Sequence, residues 1–230
     1  MQQRSEPHDS LDDFPTPCWA TRAVIRYIAQ YSSRRLGVMT CREPCANRGH
    51  MVRPLKEAFG AVLASDVHDY GAGFKVQDYL FGPPSMLDRT DWTFLNPPFR
   101  LAKEFIERAL DLSDEGVAVI ARTAFLEGES RYRDLYARPE TRPDHVLQFA
   151  ERVVMLKGRL VRSGDLDPTE DNPDKKAGTA TAYCALVYFK RRTGPTLFDW
   201  IPPCRRELEV AGDYPADPRG LADLTLKARP

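Results

Sequence analysis

Nothing in this 230-residue sequence is long and apolar enough to cross a membrane, because no apolar run approaches ~18 residues. The segment from Met1 to Asp13 is polar and acidic, which argues against a signal peptide. Paired cysteine spacing is also missing. Cys18, Cys41, Cys45, Cys184 and Cys204 form no CxxC pair, and Cys41 and Cys45 have no ligand partners nearby, so neither a disulfide framework nor a zinc site is expected. An odd count of five fits a reducing cytoplasm. His8, His50, His68 and His145 add no metal-ligating constellation, and no metal is expected. There is no net charge, since 33 lysines and arginines balance 33 aspartates and glutamates, so only local charge can speak about a polyanionic partner. There is no G-x-G-x-x-G fingerprint, no internal repeat and no Gly/Ser linker, so a single domain is the simplest count.

What is present is ordinary: 42% hydrophobic residues, enough for a sizeable core in a chain of this length. Arginine is dense in the first quarter, at Arg22, Arg26, Arg34, Arg35, Arg42, Arg48 and Arg53. Such a cluster suits either phosphates or a solvated face.

Residues 1–13 read as a flexible leader. Phe14-Pro15-Thr16-Pro17 follows as a stiff extended turn, because each proline biases the residue before it away from helix. A helix is expected over 19–31, where Val24, Tyr27, Ile28 and Tyr31 make one apolar stripe. Strands are expected over 36–41, 61–65, 74–76, 92–95 and 116–121, with helices over 51–59 and 101–110 between them. The run at 116–121 is apolar almost throughout, as in a strand buried on both faces of a parallel sheet. The alternation predicts a doubly wound α/β domain with a mostly parallel sheet. Further on, a short helix is expected within 125–136, strands over 146–149, 152–156 and 181–189, and a long polar loop over 157–180. The tail beyond Lys190 offers only small apolar anchors at Leu197, Phe198, Trp200 and Ile201.

A doubly wound sheet binds ligands beyond the carboxyl ends of its strands, where strand order reverses. The polar residues that close those strands are Glu43, Asp66, Asp78 and Asn96, so all four should lie along one edge. Asn96-Pro97-Pro98-Phe99 is the most informative segment. Its two prolines stiffen the backbone and remove two amide donors, leaving the Asn96 amide oxygen and the Pro97 carbonyl as acceptors. Two acceptors of this kind match the two N–H bonds of an exocyclic amine, and Phe99 can stack on a planar target. The bland reading of the same segment is a proline-rich turn before a helix.

Glu43-Pro44-Cys45-Ala46-Asn47-Arg48-Gly49 is the second segment. Gly49 and Asn47 tolerate positive φ, so this loop can curve beneath a nucleoside, with Glu43 near a cationic amino group. Asp66 can accept from two ribose hydroxyls, and Val67 adjoins it. Asp78 can accept from an adenine amino group, with Tyr79 and Leu80 beside that ring. A turn, a strand cap and a turn cap are the plain alternatives for these three sites.

Together these segments resemble the class I S-adenosylmethionine-dependent methyltransferases, above all the N6-adenine DNA methyltransferases of bacteria and their phages. Asn96-Pro97-Pro98-Phe99 matches that family's catalytic motif. Residues 43–49 resemble its acid-Pro-x-x-Gly-x-Gly cofactor loop, with Asn47 in place of the first glycine, and Phe14-Pro15-Thr16 resembles the segment over the methionine end of the cofactor. The resemblance covers residues 14–125 and implies a seven-stranded sheet with an antiparallel last strand over 181–189. It implies S-adenosylmethionine as cofactor, held by Phe14, Pro15, Thr16, Glu43, Pro44, Cys45, Ala46, Asn47, Gly49, Asp66, Val67, Asp78, Tyr79, Leu80 and Asn96. It implies catalysis by Asn96, Pro97, Pro98 and Phe99, and a nucleic-acid partner, DNA above RNA or protein glutamine. The methyltransferase domain would span 14–230. Many relatives carry a large target-recognition domain; here 122–180 is the available substitute, with Arg131, Tyr132 and Arg133 as acceptor contacts. A nicotinamide dehydrogenase shares the α/β layout and Asp66 but leaves the Asn-Pro-Pro-Phe loop unexplained. A nucleic-acid-binding module without catalysis fits the early arginines. Oligomeric state is left open.

Overall fold

The structure, a computed structural model, describes residues 12–190 and 194–224. Most of the leader, residues 1–11, lies outside the described residues. Helix α1 (Cys18–Ala29) precedes strand β1 (Thr40–Glu43). Then come α2 (Val52–Ala58), β2 (Ala61–Asp66), β3 (Lys75–Val76), β4 (Thr90–Leu95), α3 (Ala102–Leu112) and β5 (Ser113–Arg122). The later elements are a single helical turn α4 (Glu129–Arg131) running into a π-helical turn (Tyr132–Tyr136), β6 (His145–Phe149), β7 (Tyr183–Phe189), β8 (Leu197–Ile201) and a short α5 (Arg205–Leu208).

All eight strands form one sheet in the order β3-β2-β1-β4-β5-β7-β6-β8. The ladders from β3 to β5 are parallel, β7 runs antiparallel to both β5 and β6, and β8 is parallel to β6. The expected doubly wound sheet is therefore present, with its antiparallel strand at 183–189 and one strand more than seven. Strand β5 shows why the sheet needs cover on both sides. Ala118 and Ile120 enter a core with α1 and α2, while Val117, Val119 and Ala121 enter the other core with α3. That alternation follows from the two-residue side-chain period of a strand. Gly116 marks a close approach, since a Cβ there would lie 2.6 Å from the Trp92 ring and 2.4 Å from the Tyr188 carbonyl oxygen.

Three local expectations are corrected. Residues 36–38 form a 3₁₀ turn, and β1 begins at Thr40 and runs through Glu43. The Asp91 carboxylate fixes that start by accepting from the Thr40 N–H at 2.7 Å and from its hydroxyl at 3.0 Å. The 152–156 segment is not a strand. Val153 and Met155 do face the core, but β6 already has β7 and β8 on its two sides, so no edge is left for it. That edge is taken by 197–201, whose sequence shows only small apolar anchors.

The early arginines are not one cluster: Arg26, Arg34 and Arg35 are exposed, Arg22 and Arg48 are half-buried, and Arg42 and Arg53 are buried. Arg22 pairs with Glu57 and Asp213, Arg53 with Asp213, Arg48 with Asp13, Arg34 with Asp91 and Arg26 with Glu207. Most of these acids lie far along the chain, where sequence proximity cannot reveal them. No helix among the described residues is long and apolar enough to cross a membrane.

Candidate active site

The sheet reverses its order between β1 and β4, and the loops that follow β1, β2, β3 and β4 enclose a cavity of about 220 Å³ at their carboxyl ends. Of the residues named from sequence, Phe14, Pro15, Thr16, Pro44, Cys45, Ala46, Asn47, Asp66, Val67, Asp78, Tyr79, Leu80 and Asn96 all line it. Glu43 and Gly49 do not. Glu43 is fully buried beneath the loop, where its Oε1 accepts from the Cys45 N–H at 2.9 Å. Burial holds its carboxyl well above the ordinary range, so it braces the loop instead of facing a ligand. Gly49 takes φ 88 and lies against the Phe74 ring and Leu224.

Asn47 occupies the position where the resembled loop has glycine, and it does so at φ 49, the only positive φ of a non-glycine residue among the described residues. Short polar side chains tolerate that region when they bond locally. Here the Asn47 side-chain oxygen accepts from the Arg48 N–H at 2.7 Å, and its Nδ2 donates to Asp13 at 2.8 Å. The Asn47 N–H donates to Asp66 Oδ2 at 2.9 Å, and the His68 N–H donates to Asp66 Oδ1 at 3.0 Å. Each oxygen keeps a further lone pair for a ligand. Burial raises the Asp66 carboxyl above its usual value, with the two backbone donors drawing it back. Asp78 Oδ1 accepts from the Leu80 N–H at 2.8 Å, which turns that loop back over the cavity.

The catalytic candidates sit between two cavities. Asn96 and Pro98 line the first, while Pro97 and Phe99 line a second of about 180 Å³ on the other side of the same loop. Asn96 Nδ2 donates to the Phe14 carbonyl at 2.8 Å and to Thr16 Oγ1 at 2.9 Å. Both amide hydrogens are thus consumed by the Phe14-Pro15-Thr16 turn, and the amide oxygen is left as an acceptor. The Pro98 carbonyl is engaged by the Leu101 N–H at 3.0 Å, and the Phe99 N–H donates to Asp12 at 2.8 Å. What the loop still offers is the Asn96 amide oxygen and the Pro97 carbonyl. Asp12 and Asp13, read from sequence as the end of a flexible leader, are thereby tied to the loops on both sides of the site.

Of the acceptor-contact candidates, Arg131 lines the second cavity, with its guanidinium 5.1 Å from the centre of the Phe125 ring. Tyr132 and Arg133 line neither cavity. Tyr132 is exposed, and Arg133 pairs with Asp134 at 3.0 Å. Sequence reasoning missed Asp12, Met51, Tyr70, Leu101 and Phe105 on the first cavity and took His50, which also lines it, for a loop residue. His50 and Met51 had a usable signal, since they directly continue the 43–49 loop. Among the described residues no group of three or more His, Cys, Asp or Glu side chains could hold a metal ion, and all five cysteines are free thiols.

His50 is buried, and neither ring nitrogen makes a hydrogen bond. Burial and the neighbouring Arg48 charge push its pKa down to about 4, with the Gly220 carbonyl pulling the other way. The unfolded chain, with an ordinary histidine value near ~6.5, therefore binds a proton that the native state refuses. His50 contributes no pH dependence above about pH 7.5 and removes stability as pH falls from about 6.5 to about 4, by on the order of 3 kcal/mol at the lower limit. Urea unfolding of His50→Leu is expected to match the wild type at pH 7.5 and to lose less stability than the wild type between pH 6.5 and 4. Parallel pH profiles for the two proteins would refute this account of the ring.

No protein-family model matches the sequence, and no curated protein does. Solved structures match by fold. The methyltransferase subunit of a type I restriction-modification system from Streptococcus thermophilus aligns with a TM-score of 0.57 at 11% identity, over 83% of this chain and 48% of that one. A provisionally assigned RNA methyltransferase from Pyrococcus horikoshii aligns with a TM-score of 0.52 at 15% identity, over 83% of this chain and 92% of the other. The modification subunit of a provisionally assigned type I restriction enzyme from Vibrio vulnificus YJ016 gives 0.49 at 14% identity, over 81% and 47%. The chain thus spans about half the length of the two restriction-modification subunits. The fold is that of the class I, Rossmann-like methyltransferases.

Proposed function

We propose that this chain is an S-adenosylmethionine-dependent methyltransferase acting on an exocyclic amino group, with adenine N6 in DNA as the target. The observation that carries the cofactor is the charge of the first cavity. Its lining includes Asp12, Asp66 and Asp78 and no lysine or arginine. A wall of that sign suits a ligand bearing a sulfonium and an ammonium group, and it repels the pyrophosphate of a nicotinamide dinucleotide. Asp66 would accept from the ribose hydroxyls and Asp78 from the adenine amine, with Tyr79, Leu80 and Phe105 as the apolar walls around the ring. Phe14, Pro15 and Thr16 would cover the methionine end.

When bound, S-adenosylmethionine supplies a methyl group already activated on a sulfonium, so the chain need provide neither a metal nor a covalent nucleophile. The protein's task is orientation and charge complementarity. The Asn96 amide oxygen and the Pro97 carbonyl hold the two hydrogens of the amine and direct its lone pair toward the first cavity. Their bonds tighten as the nitrogen becomes positive, which favours the transition state over the ground state. The nitrogen grows more acidic as the new bond forms, so its extra proton can pass to solvent and no dedicated base is required. Phe99 gives the target ring a face to stack on. Residues 122–180 would carry acceptor recognition, with Arg131 on the lining of the second cavity.

The test is transfer from isotopically labelled S-adenosylmethionine to double-stranded DNA, single-stranded DNA, RNA and a glutamine-containing protein, offered separately. Label is expected in DNA. Label confined to RNA or to protein would move the target class, and binding of DNA without any transfer would favour a non-catalytic module.

A further inference from the structure

Arg122 closes β5 on the loop's acceptor side, and it is an unusual cation. It makes no hydrogen bond or ion pair among the described residues, and its Nε is buried without a partner. What holds it is aromatic. The guanidinium carbon lies 3.6 Å from the centre of the Phe99 ring and 5.4 Å from that of Phe14. Phe14 and Phe99 are themselves in contact, with centroids 5.6 Å apart. A planar cation therefore covers the Phe99 face beside the second cavity, whose lining includes Pro97, Phe99, Arg122, Phe125 and Arg131.

Resting on the proposed function, we infer that Arg122 is a placeholder in the acceptor slot and so a specificity determinant. It yields Phe99 to a target ring that brings an anion of its own, and it excludes one that does not. A guanidinium stacks flat on an aromatic face much as a base does, so the two compete for the same surface. A polynucleotide offers phosphates that take up the displaced guanidinium in paired, charge-assisted hydrogen bonds. A free nucleoside offers nothing in exchange and must overcome a stack worth a factor of roughly 2 to 30 in affinity. The slot would then reject free nucleosides while admitting the same base within a strand.

The experiment compares the wild type with Arg122→Ala and with Arg122→Gln, which keeps part of the packed stem. The probe is 2-aminopurine, once as the free deoxyriboside and once within a short oligodeoxynucleotide. Quenching of its fluorescence on stacking reports binding without methyl transfer. Both variants are expected to bind the free deoxyriboside about tenfold more tightly than the wild type. Their affinity for the oligonucleotide should stay the same or fall, and their affinity for S-adenosylmethionine should not change. In the transfer assay, the oligonucleotide-to-nucleoside ratio of kcat/KM should drop about tenfold, mainly through the nucleoside KM. Unchanged or weaker deoxyriboside binding in both variants would overturn the placeholder role. Failure of the wild type to methylate any acceptor would instead remove the proposed function, and the fluorescence comparison would still decide the role of Arg122.

Discussion

Replacing Asn96 with alanine should lower methyl transfer about 100- to 1,000-fold, the loss typical when one polar group aimed at developing charge is removed. S-adenosylmethionine affinity, measured by calorimetry, should change by no more than about threefold, which is small beside the loss of turnover. The separation is expected because in the proposed function the Asn96 oxygen would hold the amine, whereas the walls of the first cavity are mostly other side chains. Asn96→Asp should fare no better. A carboxylate oxygen would then oppose the Phe14 carbonyl, which now receives the Asn96 amide at 2.8 Å. Equal losses of turnover and cofactor affinity in Asn96→Ala would remove Asn96 from catalysis and leave it as part of the cavity wall.

Asp213→Ala should be strongly destabilising although it lies outside the site. Asp213 is almost wholly buried, with its carboxylate 2.6 Å from Arg22 and 3.3 Å from the buried Arg53, and it accepts from the Val210 N–H at 2.9 Å. Removing one member of a buried charge cluster leaves the others uncompensated, at a cost of about 3 kcal/mol or more. For a chain of this size that lowers Tm by roughly 6–12 °C. Glu57 also contacts Arg22 at 2.6 Å, so the loss is expected near the lower end of that range. The effect should reach the cofactor loop, because the segment beyond Asp213 crosses it. The Ala222 N–H donates to the Arg48 carbonyl at 2.9 Å, and Leu224 lies against Gly49. A Tm shift below about 2 °C would show that the cluster contributes little.

The parts of the fold that sequence made legible are those whose signal is local. Strand β5 announces itself as an apolar run, and α3 as a stripe of Phe105, Ile106, Ala109 and Leu110. The cavity residues were legible for a different reason. In a parallel sheet every strand delivers its closing residue to the same edge, so Asp66, Asp78 and Asn96 could be placed together before any contact was known. What stayed hidden depends on distant partners. Phe198 and Trp200 of β8 are exposed, so burial leaves no pattern, and only pairing with β6 makes the segment a strand. Glu43 ends its strand as Asp66 does, yet one turn of loop closes over it, and nothing local distinguishes a covered acid from an open one. The arginines of the first quarter looked unmatched because their acids stand as far away as Glu207 and Asp213. Asp12 looked like part of a leader because its partner, the Phe99 N–H, is 87 residues distant.

In the proposed function the loop 96–99 lies between a donor cavity and an acceptor slot and would offer the Asn96 amide oxygen and the Pro97 carbonyl to the incoming amine. The most direct measurement identifies the atom that receives a ¹³C-labelled methyl, by NMR and mass spectrometry of the digested product. A methyl on the exocyclic nitrogen of adenine is the expected result. A methyl on a ring carbon, a ring nitrogen or an oxygen would contradict the reading, because no such atom carries the two N–H bonds that a pair of carbonyl acceptors would hold.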